Sequence, residues 1–420
     1  MIGMDENVEI KNLAEPKRSR WFLGLALILL VAIGYTWATW VFFTERVPGG
    51  NDFLAHYSVW EAYFRYGYSP YSDEAALFTQ QRIYGRPASP EEDQNRLTYP
   101  FYSFIIHAPF ILLKYSLARA IYMTMLQAAL FLGAWMSLKL VNWKPEPWLV
   151  GVLFAWTLLF YPEARGVILG QFAIFGFLSM VACLYFLRRK WDIWAGITLV
   201  LSTVKPTLVF LVIPFLLLFS ISRRRFAFLT GFLVSFSILA AGSFLMLPRW
   251  FDEWIHRMSS YSDYTVGQSP VWLFTHKVFP IFGGPGEIGF VILLLIGMVW
   301  SWWRVFQVGG DYRFFWTLGI TLVISSLIVP RSATTNYVMM LGITIWFFAA
   351  LDRMGFKGRV VFLLCMVSSF IGYWWLHITS VIGNQEQAVM FFPYPIAIGL
   401  ILVLNRKWLL KDAERNIGVP

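Results

Sequence analysis

The run WFLGLALILLVAIGYTWATWVFF, residues 21–43, carries no charge and is long enough to cross the hydrocarbon core of a bilayer as one helix. Backbone groups in lipid find no water to bond, so a run of this kind spans only as a helix. Comparable runs recur down to residue 405, and the composition agrees. Of 420 residues, 58% are hydrophobic, 19% aromatic and only 14% charged, against roughly a quarter charged in soluble domains. The fold class is therefore all-α: a polytopic integral membrane protein of about 11–13 transmembrane or re-entrant helices. The first run follows Lys17, Arg18 and Arg20, is too long for a signal-peptide core and lacks a small-residue cleavage site, so it reads as a retained anchor.

Net charge is +10, from 34 basic and 24 acidic residues, and the basic residues gather in short clusters between apolar runs. Such clusters report orientation in a membrane and argue against a nucleic-acid surface. Cys183 and Cys365 both lie in apolar runs, where a thiol behaves as a small hydrophobe. They fix neither redox compartment nor metal site.

By the loop bias of positive charge, residues 1–20 form a cytoplasmic tail and residues 44–97 a first outer loop. Within that loop the pattern predicts an amphipathic helix over 53–66, a turn at Gly67-Tyr68-Ser69-Pro70-Tyr71, and a second helix over 73–83. Their Tyr, Phe and Trp content suits helices lying in the headgroup layer. Apolar runs follow at about 98–113, 119–141, 148–161 and 168–187. Residues 193–220, broken at Lys205-Pro206, lie between Arg188-Arg189-Lys190 and Arg223-Arg224-Arg225. If both clusters are cytoplasmic, 193–220 is a re-entrant hairpin with its tip at Lys205-Pro206, and one run between 98 and 161 fails to span. If 193–220 is a single span, every run crosses but the first cluster faces outward. The loop bias and the helix-breaking Pro206 favour the hairpin.

A span at about 226–247 then leads to a second outer loop, 248–270, holding Asp252, Glu253, His256, Arg257, Tyr261, Asp263 and Tyr264. Residues 271–283 are too short to cross and read as interfacial. Further spans are expected at about 286–307, 313–330, 336–351, 360–376 and 391–404. The basic turns at Arg304/Arg313, Arg353/Lys357/Arg359 and Arg406/Lys407/Lys411 then all lie inside, with 406–420 a cytoplasmic tail. Residues 21–405 form one transmembrane domain, with no short-period repeat.

Among the carboxylates of 44–97, Asp52 stands apart by position. It lies just past the first span at the start of a helix, with His56 one turn later on the same face. The plain alternative is that Asn51 or Asp52 only caps that helix. A carboxylate at a helix N-terminus is also well placed as a base, because it stays ionised and oriented. Arg165 and Gln171 sit beside an apolar run, where a charge needs a partner or a wet cavity; the alternative is an interface turn. Lys205, inside a broken apolar run, suits an anion such as a lipid phosphate, or it snorkels to the headgroups. Arg331 is the charge of the outer turn 330–337 and can fork onto a phosphate or contact headgroups. His256 and Asp263 are candidate metal donors without diagnostic spacing, so no metal or cofactor is assigned and a divalent ion is left open.

Several stretches in order, Asp52-Phe53, Tyr57, Gly67, Ser69-Pro70-Tyr71, Thr98-Tyr99-Pro100, Gly170-Gln171, then Ala195-Gly196 ahead of Lys205-Pro206, resemble the polyprenyl-phosphate-mannose-dependent mannosyltransferase family of the GT-C glycosyltransferases. The likeness covers roughly residues 50–225. The chain departs from that family's pattern at Phe101, where a second proline is common, and at Asn336, before Tyr337, where a histidine is frequent.

The resemblance implies an enzyme whose site opens to the outer face, where a polyprenyl-phosphate sugar in the bilayer meets a lipid or glycan acceptor. Asp52 matches the family's general base. Asp52 and His56 are thus the expected catalytic pair. Lys205, Arg331 and Arg165 are the expected donor-phosphate residues, and Asn51, Tyr57, Tyr99, Gln171 and Tyr337 the expected substrate contacts. Two other classes fit a basic polytopic chain. One is a transporter or flippase of a lipid-linked sugar, for which a broken helix bearing a lysine is a familiar device. The other is a polymerase or ligase of lipid-linked glycans.

Overall fold

The computed structural model describes residues 18–47, 49–90, 92–260, 269–307, 310–382 and 385–417. They are helical, with no sheet. In chain order the main helices are α1 (Arg18–Thr39), α2 (Asn51–Tyr66), α3 (Asp73–Tyr84), α4 (Tyr115–Leu140), α5 (Pro147–Leu159), α6 (Tyr161–Leu169), α7 (Ala173–Arg188), α8 (Asp192–Ser202) and α9 (Val212–Ser222). After these come α10 (Phe226–Met246), α11 (Trp250–Ser259), α12 (Gly283–Phe306), α13 (Phe314–Ile328), α14 (Leu341–Asp352), α15 (Phe356–Ser380), α16 (Pro393–Leu404) and α17 (Arg406–Asn416). Among the described residues six helices are long and apolar enough to cross a membrane, or up to eight if each bent pair is one span. The protein is an all-α polytopic membrane protein.

The hairpin expectation agrees with the geometry. Arg225, just before α10, pairs with Asp192 at the start of α8 and donates to the Leu187 carbonyl. The chain therefore enters at 192 and is back at the same end by 225. Neither arm is long enough to cross: eleven residues each in α8 and α9 rise only about 16 Å. Between them the backbone breaks at Lys205 and makes one 3₁₀ turn, Pro206–Leu208. Helix α8 is wedged between α7 and α10, and the crossing with α10 is close. A Cβ on Gly196 would stand 2.3 Å from the Phe228 carbonyl oxygen, and one on Gly231 2.4 Å from that of Ile193, the small-residue contact that lets membrane helices approach.

The run 98–113, expected as a possible span, does not cross. Pro100 and Pro109 divide it, and it folds as short 3₁₀ and α turns over Phe101–Leu112. Both its ends bond to the segment around α2: Tyr71 donates to the Tyr99 carbonyl, Tyr57 to that of Leu113 and Arg65 to that of Ile111. Apolar composition here reflects burial beneath α2, and the ring of Phe101 is fully buried.

A second difference concerns residues 161–169, where the apolar runs expected at 148–161 and 168–187 meet. They form helix α6, opened by Pro162 in its first turn, where a missing N–H costs nothing. This helix bends 56° from α5. Gly170 then ends it, and α7 starts only at Ala173. The C-terminal segment from residue 406, expected as a tail, is an ordered helix through Asn416 whose Asp412 accepts from Trp346 and pairs with Arg353. In the segment after α10, α11 docks on the Ser69-Pro70-Tyr71 turn. There Glu253 accepts from Ser69, and Arg257 pairs with Asp73 and donates to the Tyr71 carbonyl.

Candidate active site

Helix α2 begins two residues earlier than the sequence pattern suggests, at Asn51, because Gly50 in the left-handed region serves as its N-cap. Neither Asn51 nor Asp52 caps the helix with its side chain. The Asp52 carboxylate, in the first helical turn, is thus available for a partner elsewhere. Phe53 fixes the position: its ring is fully buried, stacked on Tyr122 at 4.4 Å and edge-on to Phe110 at 5.5 Å.

The partner of Asp52 comes from the start of the next membrane segment. Gly170 closes α6 with φ of +77°, and a Cβ there would stand 2.5 Å from the Cβ of Phe53. Only glycine fits both the conformation and the space. The two dipeptides therefore dock on each other, Gly170 on Phe53 and Gln171 on Asp52. The Gln171 amide donates from Nε2 to Asp52 Oδ2 at 2.5 Å. Its other end accepts from Lys205 Nζ at 2.8 Å, and Lys205 also donates to Asn336 Oδ1 at 2.9 Å. A chain of Asp52, Gln171, Lys205 and Asn336 results, drawn from four separate parts of the sequence. The Lys205 ammonium lies 6.0 Å above the Tyr99 ring, and the hairpin tip that carries it is tied down by Tyr102, whose hydroxyl bonds to Thr203.

His56 lies one turn below Asp52 and faces rings. It stacks on His107 at 4.2 Å and 12°, and meets Tyr99 at 4.4 Å. Its Nδ1 is buried without a hydrogen-bond partner, and His107 spends its nitrogens on the Ser103 carbonyl and the Tyr122 hydroxyl. Burial first, then the charges of His107 and Lys205, hold His56 well below the usual imidazole range, and burial brings His107 down to about 4. Burial thus favours the neutral form of both rings. For Asp52, which keeps partial exposure in dense surroundings, burial pushes the carboxyl up. The Gln171 bond and the Lys205 charge oppose that push without cancelling it.

The remaining candidates separate into two groups. Tyr99 belongs with the chain just described. Arg331 pairs with Asp93, in the stretch after α3, at 2.8 Å, within electrostatic reach of Asp52 and Lys205. Asn51 opens α2, and its side chain makes no hydrogen bond to a described residue. Arg165 faces a second cluster: it donates to the Tyr161 hydroxyl at 2.8 Å and pairs with Glu386 at 3.4 Å. Glu386 also accepts from Tyr161 and from the Thr334 backbone, at 3.0 Å each. The buried hydroxyls of Tyr57 and Tyr337 serve backbone carbonyls, those of Leu113 and Phe391. His256 is exposed on α11, while Tyr261, Asp263 and Tyr264 lie outside the described residues. Among the described residues no three His, Cys, Asp or Glu side chains are grouped as metal ligands.

Sequence reading missed Glu386, His107 and the role of Asn336. An acidic residue flanking an apolar span was the available signal for Glu386. Asn336 was visible only as a departure from a pattern.

Residues 97–330 match the family model of Glycosyltransferase family 87. The comparisons with curated proteins and with solved structures gave no match. The matched stretch carries Tyr99, Arg165, Gln171 and Lys205, whereas Asp52 and His56 precede it and Arg331, Asn336 and Tyr337 follow. Covering more than half of the chain and most of the helical bundle, this match makes the protein a membrane glycosyltransferase that belongs to glycosyltransferase family 87.

Proposed function

We propose that this enzyme transfers a single sugar, mannose, from a polyprenyl-phosphate donor to a lipid or glycan acceptor, with inversion at the anomeric carbon. Asp52 takes the proton of the acceptor hydroxyl, whose oxygen attacks the anomeric carbon from the face opposite the phosphate. The new glycosidic bond forms as the bond to phosphate oxygen breaks, and the electron pair leaves on polyprenyl phosphate. Lys205 has a third N–H beyond those given to Gln171 and Asn336, and it stabilises the departing anion, which needs no proton. Arg331 lies near enough to add to that field.

The observation that carries this reading is the single amide of Gln171 between one carboxylate and one ammonium. It holds a base and an anion-stabilising cation a few ångströms apart at the end of a bundle whose flanks face lipid. The opposite end holds the basic residues Arg188, Arg225, Arg353, Arg359 and Arg406. By the loop bias this supports an outer-face site and cytoplasmic termini.

Purified protein incubated with radiolabelled polyprenyl-phosphate mannose, the glucose and galactose analogues and GDP-mannose, each with a lipid acceptor, tests the donor class. Transfer from the polyprenyl-phosphate mannose alone is expected. Transfer from the nucleotide sugar alone would contradict the proposal.

A further inference from the structure

At the end of the bundle opposite Asp52, five arginines are committed to internal partners. Arg225 pairs with Asp192, Arg353 with Asp412 and Arg359 with Asp352 and Glu146, while Arg188 and Arg223 donate to helix-end carbonyls. Arg304, Arg313 and Arg406 are not committed in this way. Arg304 ends α12, Arg313 closes the turn Asp311–Arg313, and Arg406 opens α17. They converge from three elements, close enough to repel one another. No hydrogen bond or ion pair joins any of their guanidiniums to a described residue.

Their contacts are with rings. The Arg406 guanidinium lies between two indoles, 5.1 Å from Trp300 and 5.0 Å from Trp316. Arg304 reaches the same Trp300 at 5.9 Å and Trp303 at 6.0 Å, and Arg313 lies 4.9 Å from Tyr312. These walls are firm. Trp316 is nearly buried, with its N–H on the Leu402 carbonyl, and α17 is anchored by Asp412 and by buried Leu409 and Ala413. Stacking orients a guanidinium but does not neutralise it, and no described carboxylate pairs with these three charges.

Immediately beside them the surface turns apolar. Trp303 is 54% exposed and Leu404, at the end of α16, 76% exposed. An occupant that satisfies both halves carries an anionic phosphate for the guanidiniums and a chain for the apolar flank. We propose that Arg304, Arg313 and Arg406 form a binding site for the phosphate of an anionic phospholipid, set in the leaflet opposite the Asp52 site. Basic pockets between membrane helices take such headgroups, and arginine forks match phosphate oxygens in pairs. By bridging α12, the 311–313 turn and α17, the lipid fastens the end of the bundle.

The test uses the full-length protein, delipidated in neutral detergent, with its thermal midpoint read as lipid is added. Dioleoylphosphatidylglycerol should raise the midpoint by about 3 °C or more. Dioleoylphosphatidylcholine and inorganic phosphate should leave it unchanged. The variant R304Q/R313Q/R406Q should lose that response. The control K144Q/K190Q/K357Q, which removes the same charge from exposed lysines of the same end, should keep it. Equal loss in the control, an unchanged response in the arginine variant, or a matching shift with inorganic phosphate would each overturn the proposal. If the triple variant does not fold, Arg406→Lys carries the test: it keeps the charge but loses the fork and the indole sandwich, and should lose at least half of the shift. Full retention would overturn the site as drawn.

Discussion

Gln171 stands between Asp52 and Lys205, giving its amide N–H to the carboxylate at 2.5 Å and taking an ammonium N–H on its oxygen at 2.8 Å. Carboxylate and ammonium therefore do not form a direct ion pair, which would leave each occupied by the other. An amide spacer keeps both available to a substrate while fixing their separation.

Replacing Gln171 by Glu keeps the size but offers a second carboxylate to Asp52 and a direct salt bridge to Lys205. Transfer should fall by about 10–100-fold, with the Asp52 carboxyl pushed further up by its new neighbour. Steady-state rates and their pH profile measure both effects. A variant with unchanged rate and profile would remove the spacer role.

Gly170→Ala forces a side chain into the left-handed region and into Phe53. The combined strain should cost about 1–3 kcal/mol and displace Gln171, so the thermal midpoint and the transfer rate fall together. Gly34→Ala in α1, where nothing lies within 4 Å of the added Cβ, serves as the control and should leave both unchanged.

The sequence pattern located the frame of this site but not its wiring. Helix periodicity put His56 on the face of Asp52, and the charge clusters with Pro206 favoured the hairpin that brings Lys205 inward. The hairpin leaves one run between 98 and 161 short of crossing without saying which, because apolar content reports burial and not direction; only the bonds of the run 98–113 to α2 and the turn after it single that run out. Arg165 meeting Glu386, Arg331 meeting Asp93 and Lys205 meeting Asn336 are pairs separated by more than a hundred residues, and local spacing carries no information about them. The docking of Phe53 on Gly170 was present in the sequence as two dipeptides whose mutual contact the chain alone does not disclose.

Burial raises the Asp52 carboxyl above its ordinary range, normally about 4. An acid with a raised value holds its proton to higher pH, so transfer should fail as pH drops through a point above that range. Stability has the opposite sense. The folded protein binds this proton more tightly than the unfolded chain, so the carboxyl favours folding at low pH, and that contribution is lost as pH rises through the folded value. The acid limb of kcat/KM checks the first statement, and comparison of thermal midpoints with those of Asp52→Asn across pH checks the second.

Tyr57→Phe and Tyr337→Phe each remove one hydrogen bond to a backbone carbonyl. Each should lower stability by about 1 kcal/mol with KM for the donor unchanged. A raised KM at intact stability would instead place that hydroxyl on the substrate.

The most direct measurement is transfer from polyprenyl-phosphate mannose by Asp52→Asn, which preserves the shape of the side chain, with thermal midpoint and expression recorded beside the wild type. A loss of about 10²–10⁴-fold in kcat with the fold intact is the expected result. Turnover within a few-fold of the wild type would contradict Asp52 as the base.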